Sequence, residues 1–284
     1  MNMHAAAAYA AHLLTSRSTA GHGVHSPLMF SFITDVIGGR ADRDIFEEVR
    51  RLRRDMFSDS RVVRVTDLGA GSTVLRGKER SIRQIASVAA LPPREVALLA
   101  RMAANLDLIL ERVPDRQLGG LPTQGQELAG RPVILELGTS LGISTLALDM
   151  AAPHRRVITV EGCPALAEIA RENLHRHGAD NVEVLNMEFT QALSYLKERG
   201  TKVGMAFIDG NHRGAALTEY VNTVRELGEE MIVVADDIHM NRDMNEAWQT
   251  LSASSVANAS LETFRLGILF CLHNLTPGHY RIRY

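Results

Sequence analysis

The chain has 284 residues, of which 45% are hydrophobic and 23% charged, as in a globular protein that holds one α/β domain and a smaller companion. Its formal net charge of -2 gives no overall attraction to nucleic acid or anionic membranes, and a 5% aromatic content argues against a base-stacking surface. No apolar run reaches the roughly eighteen residues of a membrane span. The alanine-rich start lacks the basic residues of a signal peptide. Cys163 and Cys271 form no metal or redox motif. We therefore expect a cytoplasmic protein without a membrane partner.

The first part of the chain is mainly helical. Apolar spacing predicts one helix over residues 41–57 and another over 94–113, with one strand-like run over 61–68 between them. The segment Gly21–Pro27 has two interpretations, a substrate-contacting loop or the N-cap of the next helix. Glycines and a proline in 118–125 interrupt the pattern. We predict a helical domain over 1–125 and a second domain over 126–284.

The second domain alternates short apolar runs with amphipathic helices. Continuous apolar strands separated by helices predict a parallel sheet covered on both faces. The predicted strands are 133–137, 157–160, 182–185, 203–208 and 231–235, and the clearest helices are 164–177 and 213–227. Two later runs, 265–272 and 279–284, are joined by a short turn and are predicted to pair as an antiparallel hairpin.

The most informative segment is a glycine-containing turn after the first of these strands. Gly138 and Gly142 follow a buried strand and precede a helix, a place where backbone N–H groups approach a ligand closely. The next strand ends at Glu161, whose carboxylate can accept hydrogen bonds from a ribose diol. These features predict a nucleoside-containing cofactor at the carboxyl ends of the strands.

Details of the turn distinguish between cofactors. The dinucleotide fingerprint has a glycine where Ser140 stands, and Glu136 would repel a pyrophosphate but suits a ligand with an ammonium and a sulfonium. A second glycine-rich stretch, Asp67–Ser72, is followed by no strand with an acidic end and is not expected to be the main cofactor loop. The sequence therefore favours S-adenosylmethionine over a nicotinamide cofactor.

With these residues in view, the chain resembles the class I S-adenosylmethionine-dependent methyltransferases, and in particular the catechol and caffeoyl-coenzyme A O-methyltransferase branch. The resemblance rests on a series of motifs in order: Glu136-Leu-Gly-Thr-Ser-Leu-Gly-Ile-Ser144, Val160-Glu161, Asn186-Met-Glu-Phe189, Phe207-Ile-Asp-Gly-Asn-His212 and Val233-Val-Ala-Asp-Asp-Ile-His239. It implies a Rossmann-like seven-stranded α/β sheet with a terminal antiparallel hairpin, preceded by the helical domain.

The resemblance also implies which residues hold the cofactor. Gly138, Ser140 and Gly142 of the turn would line the methionine part of the cofactor, with Glu136 near its ammonium group. Glu161 would hold the ribose hydroxyls. Met187, Glu188 and Phe189 would border the adenine, and a purely structural role for Met187 or Phe189 stays open. Asp209 would also face the cofactor. The full cofactor-binding set is Glu136, Gly138, Ser140, Gly142, Glu161, Met187, Glu188, Phe189 and Asp209.

Methyl transfer requires a base and, in the metal-dependent relatives, a divalent cation. By the resemblance, Asp209, Asp236 and Asp237 would be oxygen ligands for Mg²⁺, Ca²⁺ or Mn²⁺, although those relatives have asparagine where Asp237 stands, so that metal dependence stays open. His212 occupies the place of their lysine base. The predicted catalytic residues are therefore His212, Asp209 and His239, each histidine with the alternative of a cap or a substrate contact.

We expect O-methylation of a small molecule. One rival is an RNA or protein methyltransferase that uses the arginines in 50–54, although the interleaved acidic residues favour a solvated helix face. A second rival is a non-catalytic cofactor-binding scaffold, and a more distant third is a nicotinamide oxidoreductase. Nucleic acid is not the expected partner, and a homodimer is an oligomeric state that the sequence leaves open.

Overall fold

The computed structural model describes residues 3–66, 77–111 and 130–284. The N-terminal part is mainly helical, as predicted. Its helices are α1 (Met3–Thr15), α2 (Pro27–Ser31, continued by a π-helical turn over Phe32–Ile37), α3 (Arg43–Ser58), α4 (Ile82–Ala89), α5 (Pro93–Ala104) and α6 (Leu106–Glu111). The side chain of Ser26 accepts a hydrogen bond from the N–H of Met29 (3.4 Å), which confirms the N-cap interpretation of this segment.

Two predictions for this part need correction. The helix expected over 94–113 is interrupted at Asn105, whose side-chain amide donates to the carbonyl of Arg101 (2.7 Å) and so competes with the helical backbone. The strand expected over 61–68 is only β1 (Val62–Arg64), paired antiparallel with β2 (Glu79–Ser81). The stretch Asp67–Ser72 and the predicted boundary at 118–125 lie outside the described residues.

The C-terminal part is built on an eight-stranded sheet. Its strands are β3 (Val133–Leu137), β4 (Val157–Val160), β5 (Val182–Leu185), β6 (Val203–Ile208), β7 (Met231–Ala235), β8 (Ala259–Glu262), β9 (Gly267–Cys271) and β10 (Gly278–Arg281). Their order is β10-β8-β9-β7-β6-β3-β4-β5, and β3 to β7 are parallel. All five strands predicted for the parallel sheet are confirmed.

The strands are linked by helices, as in a doubly wound α/β fold. These are α7 (Ile143–Ala151), α8 (Pro164–Arg176), α9 (Phe189–Glu198), α10 (Gly214–Arg225) and α11 (Arg242–Ala253). Alternate residues of each strand pack into one of two apolar clusters, because successive side chains of a strand point to opposite faces. Because β3 to β7 run parallel, the turns between each of these strands and its following helix lie together at the carboxyl edge of the sheet.

An antiparallel hairpin is present near the end of the chain, but it is formed by different strands from those predicted. β8 and β9 form the hairpin, and β9 also pairs antiparallel with β7. Because both edges of β9 are occupied, β10 joins the free edge of β8 in parallel. The fold class is confirmed, whereas the pairing of 265–272 with 279–284 was wrong.

The helical part packs directly on the sheet part. One apolar cluster contains residues of α2, α3 and α5 together with residues of α7 and β9. At its centre Phe32 meets Phe270 edge-on, with ring centroids 4.8 Å apart. None of the described helices is long and apolar enough to cross a membrane.

Candidate active site

The turn between β3 and α7 requires glycine at its first position. Gly138 has φ +113°, and a Cβ there would lie 1.9 Å from the carbonyl oxygen of Asp209 at the end of β6. Gly142 (φ +79°) begins α7, and Ser140 between them is also left-handed at φ +48°. The turn therefore lies against the neighbouring strand end.

Glu136 lies under this turn and is completely buried. Its Oε2 accepts hydrogen bonds from the hydroxyls of Thr145 (2.5 Å) and Thr159 (2.6 Å), while its Oε1 has no hydrogen-bond partner among the described residues. Burial raises the pKa of this carboxyl, against the opposing effect of the neighbouring hydroxyls. A buried carboxylate oxygen without a partner is suited to receive a cationic group of a ligand.

Glu161 connects three strand ends. Its Oε2 accepts from the N–H of Ser140 and its Oε1 from the N–H of Cys163, both at 2.9 Å. Its carbonyl accepts from the side-chain amide of Asn186 (2.7 Å), which follows β5. The structure thus brings Glu161 to the glycine turn, as predicted.

The residues predicted to border an adenine lie after β5. Met187 and Phe189 are half-buried, and Glu188 is exposed just before α9. Phe189 meets Tyr220 edge-on, with centroids 5.5 Å apart, and a Cβ on Gly210 would lie 2.8 Å from its ring. Phe189 therefore packs against Tyr220 and Gly210.

The three aspartates meet at adjoining strand ends, as predicted. Asp209 follows β6, and Asp236 and Asp237 follow β7. The last residues of these two strands, Ile208 and Ala235, are paired, and the aspartates that follow them are therefore neighbours. Burial and then the charges of Asp236 and Asp237 raise the pKa of Asp209 well above its usual range. Burial and the charge of Asp236 raise the pKa of Asp237 to about 6.

Arg265 is a neighbour that the sequence did not predict. Its Nε and one terminal nitrogen donate to the two oxygens of Asp236 at 2.8 and 2.6 Å, and that nitrogen also lies 3.3 Å from an oxygen of Asp237. Glu95 of α5 lies close enough to interact electrostatically with Arg265 and Asp236, and burial raises the pKa of Glu95. Both residues come from distant parts of the chain, so that no local motif indicates them.

This arrangement does not fit the predicted metal centre. A hard cation would compete here with a positive charge that is already bound, because the guanidinium of Arg265 donates to both oxygens of the fully buried Asp236. Within the ranges that the structure covers, no group of three or more His, Cys, Asp or Glu side chains is arranged to hold a metal ion. The expected ligands Asp209, Asp236 and Asp237 therefore lie in an aspartate–arginine cluster, and metal binding by them stays a prediction.

The two histidines differ in their surroundings. Nε2 of His212 lies 3.8 Å from Oδ1 of Asp209, and both side chains are partly exposed, at 26% and 18%. His239 is buried, with its Nδ1 donating to Oδ1 of Asn245 (2.7 Å) and its ring stacked on Phe264. Its Nε2 faces Glu262 at 3.8 Å. His212 is thus the histidine that faces the strand-end aspartates with an accessible ring.

A separate apolar cavity of about 370 Å³ lies between α3 and α5. Its walls include Phe46, Phe57 and Val96, and it reaches Ile143 at the start of α7. The strand-end aspartates do not line it. The reacting groups described above therefore belong to the sheet edge and not to this cavity.

Comparison with known proteins agrees with this geometry. Residues 135–238 match a family model described as a methyltransferase domain. A catechol O-methyltransferase of Mycobacterium tuberculosis is 42% identical over 80 residues, which are 28% of this chain and 36% of that protein. A protein-L-isoaspartate O-methyltransferase of Magnetococcus marinus is 48% identical over 60 residues, 21% of this chain and 25% of that protein. The chain thus spans about a third or less of these relatives' lengths.

A solved structure extends the comparison to most of the chain. The O-methyltransferase from Bacillus cereus in complex with SAH covers 84% of this chain and 96% of its own, with 15% identity and a TM-score of 0.50. This similarity concerns the fold. Residues 135–238, which carry the motifs singled out in the sequence, are thus similar to a methyltransferase domain, and the fold is that of the solved O-methyltransferase.

Proposed function

We propose that the protein is an S-adenosylmethionine-dependent methyltransferase that methylates an oxygen atom of a small molecule. The observation that carries this proposal is the joining of Glu136, Gly138 and Glu161 at one sheet edge, beside the strand-end aspartates. A binding site for a cationic nucleoside there adjoins groups able to take up a proton. The methyltransferase family match of residues 135–238 supports the same conclusion.

The residues of the turn fit this cofactor. The unpaired Oε1 of Glu136 would accept from its ammonium, and Glu161 would accept from its ribose hydroxyls. Gly138, Ser140 and Gly142 would approach its methionine part, and Met187, Glu188, Phe189 and Asp209 would complete the site. When bound, S-adenosylmethionine supplies a methyl group for in-line displacement.

The protein itself must position and deprotonate the acceptor hydroxyl. His212 is the proposed base, because its ring is accessible and its Nε2 lies 3.8 Å from Oδ1 of Asp209 at the strand ends. His239 is the second choice, because its Nδ1 is already bound by Asn245 and its ring is buried. Glu95 and Asp237 border the same space and are suited to orient the acceptor.

The rival functions have less support in the structure. Arg50 and Arg51 of α3 pair with Glu47 and Glu48 along their own helix, as expected for a solvated face and not for an RNA-binding one. A scaffold without activity would have no need for partly exposed Asp209 and His212 at the cofactor edge. We also propose a cytoplasmic location, and the homodimer considered above remains a proposal.

Binding of S-adenosylhomocysteine tests the cofactor assignment. We expect it to raise the melting temperature, because a ligand that binds only the native state stabilises it, and NAD should leave the melting temperature unchanged. Glu161→Ala should weaken binding by about 1.5–3 kcal/mol, the contribution of a charge-assisted hydrogen bond. Isothermal titration calorimetry measures both affinities.

Glu168→Ala is the matched control, because Glu168 is an exposed glutamate of α8 that pairs with Arg171 on its own helix. It should bind S-adenosylhomocysteine as the wild type does. Equal affinity of wild type and Glu161→Ala would contradict the assignment of Glu161, and absence of any binding would contradict the proposed cofactor.

A further inference from the structure

Arg265 is held in place by the backbone as well as by its charge. Its carbonyl accepts from the N–H of Ile238 (3.2 Å), and the antiparallel register of β7 and β9 pairs Ala235 with Gly267. The guanidinium is thereby fixed beside the residues that follow β7. The side chain of Asp236 has no exposed surface, whereas that of Arg265 is 30% exposed.

The guanidinium has the contacts that a cation would make here. It binds Asp236 in the bidentate geometry that arginine and carboxylates share, and it reaches Asp237 with one of the same nitrogens. A divalent ion at this point would have to break a bidentate pair and then lie beside a positive charge. The carboxylate of Asp209 also interacts with Arg265 electrostatically, although it is not among the groups that the guanidinium contacts above.

We propose that Arg265 is a built-in cation, which fills the place between Asp236 and Asp237 and makes the site independent of a divalent metal. Its role is that of a positioning residue, since it fixes the two aspartates that border the acceptor space. The exclusion of a divalent metal follows from the geometry alone. Metal-independent turnover rests in addition on the proposed methyltransferase function.

Titration with Mn²⁺, monitored by electron paramagnetic resonance, tests the exclusion of a divalent metal without any assay of turnover. The wild type should show no saturable binding. Arg265→Gln removes the charge but keeps a side chain of similar length, and it should gain Mn²⁺ affinity by about tenfold or more, because a like charge next to the ion is removed. Arg265→Lys keeps the charge and should exclude Mn²⁺ as the wild type does.

The double variant Arg265→Gln, Asp236→Asn should lose the affinity that Arg265→Gln gains. Circular dichroism of each variant confirms folding, and Arg265→Lys remains informative if Arg265→Gln is unstable. Saturable Mn²⁺ binding by the wild type, or by Arg265→Lys at the affinity of Arg265→Gln, would overturn the proposal. So would a folded Arg265→Gln that gains no affinity.

Turnover provides the second arm of the test. Excess chelator should leave methyl transfer by the wild type unchanged, and added Mg²⁺ should not raise it. A loss of activity in chelator that Mg²⁺ restores would overturn metal independence. If no acceptor is methylated under any condition, the proposed function fails, but the Mn²⁺ titration still decides the role of Arg265.

Discussion

Two glutamates of the site show how the environment of a carboxyl group sets its role. Burial raises the pKa of Glu136, its neighbouring hydroxyls oppose that rise, and one of its oxygens has no hydrogen-bond partner within the part of the chain that the structure describes. Glu161 is half-buried, and backbone N–H groups hold both of its oxygens. A cationic ligand would therefore gain most at Glu136, because there it relieves an uncompensated desolvation.

His212 is tested by removing its ring. His212→Ala should lower kcat by about 10²- to 10⁴-fold, the usual contribution of a positioned general base. Turnover by the wild type should also fall at acid pH, because a protonated imidazole accepts no proton. The affinity for S-adenosylhomocysteine should hardly change, since Glu136 and Glu161 lie on other strand ends. The assay uses labelled methyl donor with a panel of phenols, catechols and carboxylic acids.

His175→Ala is the control for this substitution, because His175 is an exposed histidine of α8 away from the strand ends. Its kcat should equal that of the wild type. If His212→Ala retains near-normal kcat and the same acid limb, the base lies elsewhere and His239 becomes the next residue to replace.

At the scale of elements, the turn after β3 depends on one glycine. Gly138→Ala should weaken S-adenosylhomocysteine binding and lower the free energy of unfolding by several kcal/mol, because its Cβ would overlap the backbone of Asp209 and its φ of +113° is unfavourable for alanine. Gly200→Ala is the matched control. Gly200 also has a positive φ (+66°), but a Cβ there meets nothing within 4 Å.

Gly200→Ala should therefore cost only about 1–2 kcal/mol, the strain of a left-handed alanine, and leave ligand affinity intact. Urea denaturation and calorimetry of the two variants separate strain from overlap. Equal destabilisation by both substitutions, with equal affinity, would show that the close approach of the turn to β6 has no energetic consequence.

The elements also show what a single sequence can predict. β3 to β7 were predictable because a parallel strand buried on both faces is a continuous apolar run. β8 was missed because it carries Ser260 and Glu262, which are buried only because the structure supplies partners: His279 for Ser260 (2.7 Å) and Trp248 for Glu262 (2.6 Å). Such partners come from other elements and leave no local pattern.

The site likewise contains residues that the sequence could predict and residues that it could not. The residues at strand ends, such as Glu161 and Asp209, could be placed because parallel strands end at one edge of the sheet. Arg265 and Glu95 could not, since one enters through an antiparallel strand pairing and the other from the helical part. The sequence therefore shows the carboxylates at the strand ends but not the guanidinium that binds Asp236.

At the scale of the whole molecule, buried polar contacts join the two ends of the chain. Burial alone would raise the pKa of Glu262, but the imidazoles of His12 and His239, at 3.7 and 3.8 Å, and the hydrogen bond from the indole of Trp248 hold that pKa well below its usual range. Arg281 of β10 also pairs with Glu262 at 2.9 Å. Helix α1, the end of β7 and the last strand thus meet at one carboxylate, which opposes independent unfolding of the N-terminal part.

The shared apolar core leads to a prediction about cooperativity. Phe32 of the helical part is 2% exposed and packs on Phe270 of β9, so that Phe32→Ala should lower the free energy of unfolding of the whole chain by about 3–5 kcal/mol. Phe30→Ala, at a side chain that is 44% exposed, should change it by about 0.5 kcal/mol or less. Calorimetry of both variants should show one transition each, because neither part can lose this contact without exposing the core of the other. Two separate transitions, with only the first shifted by Phe32→Ala, would instead favour independent domains over 1–125 and 126–284.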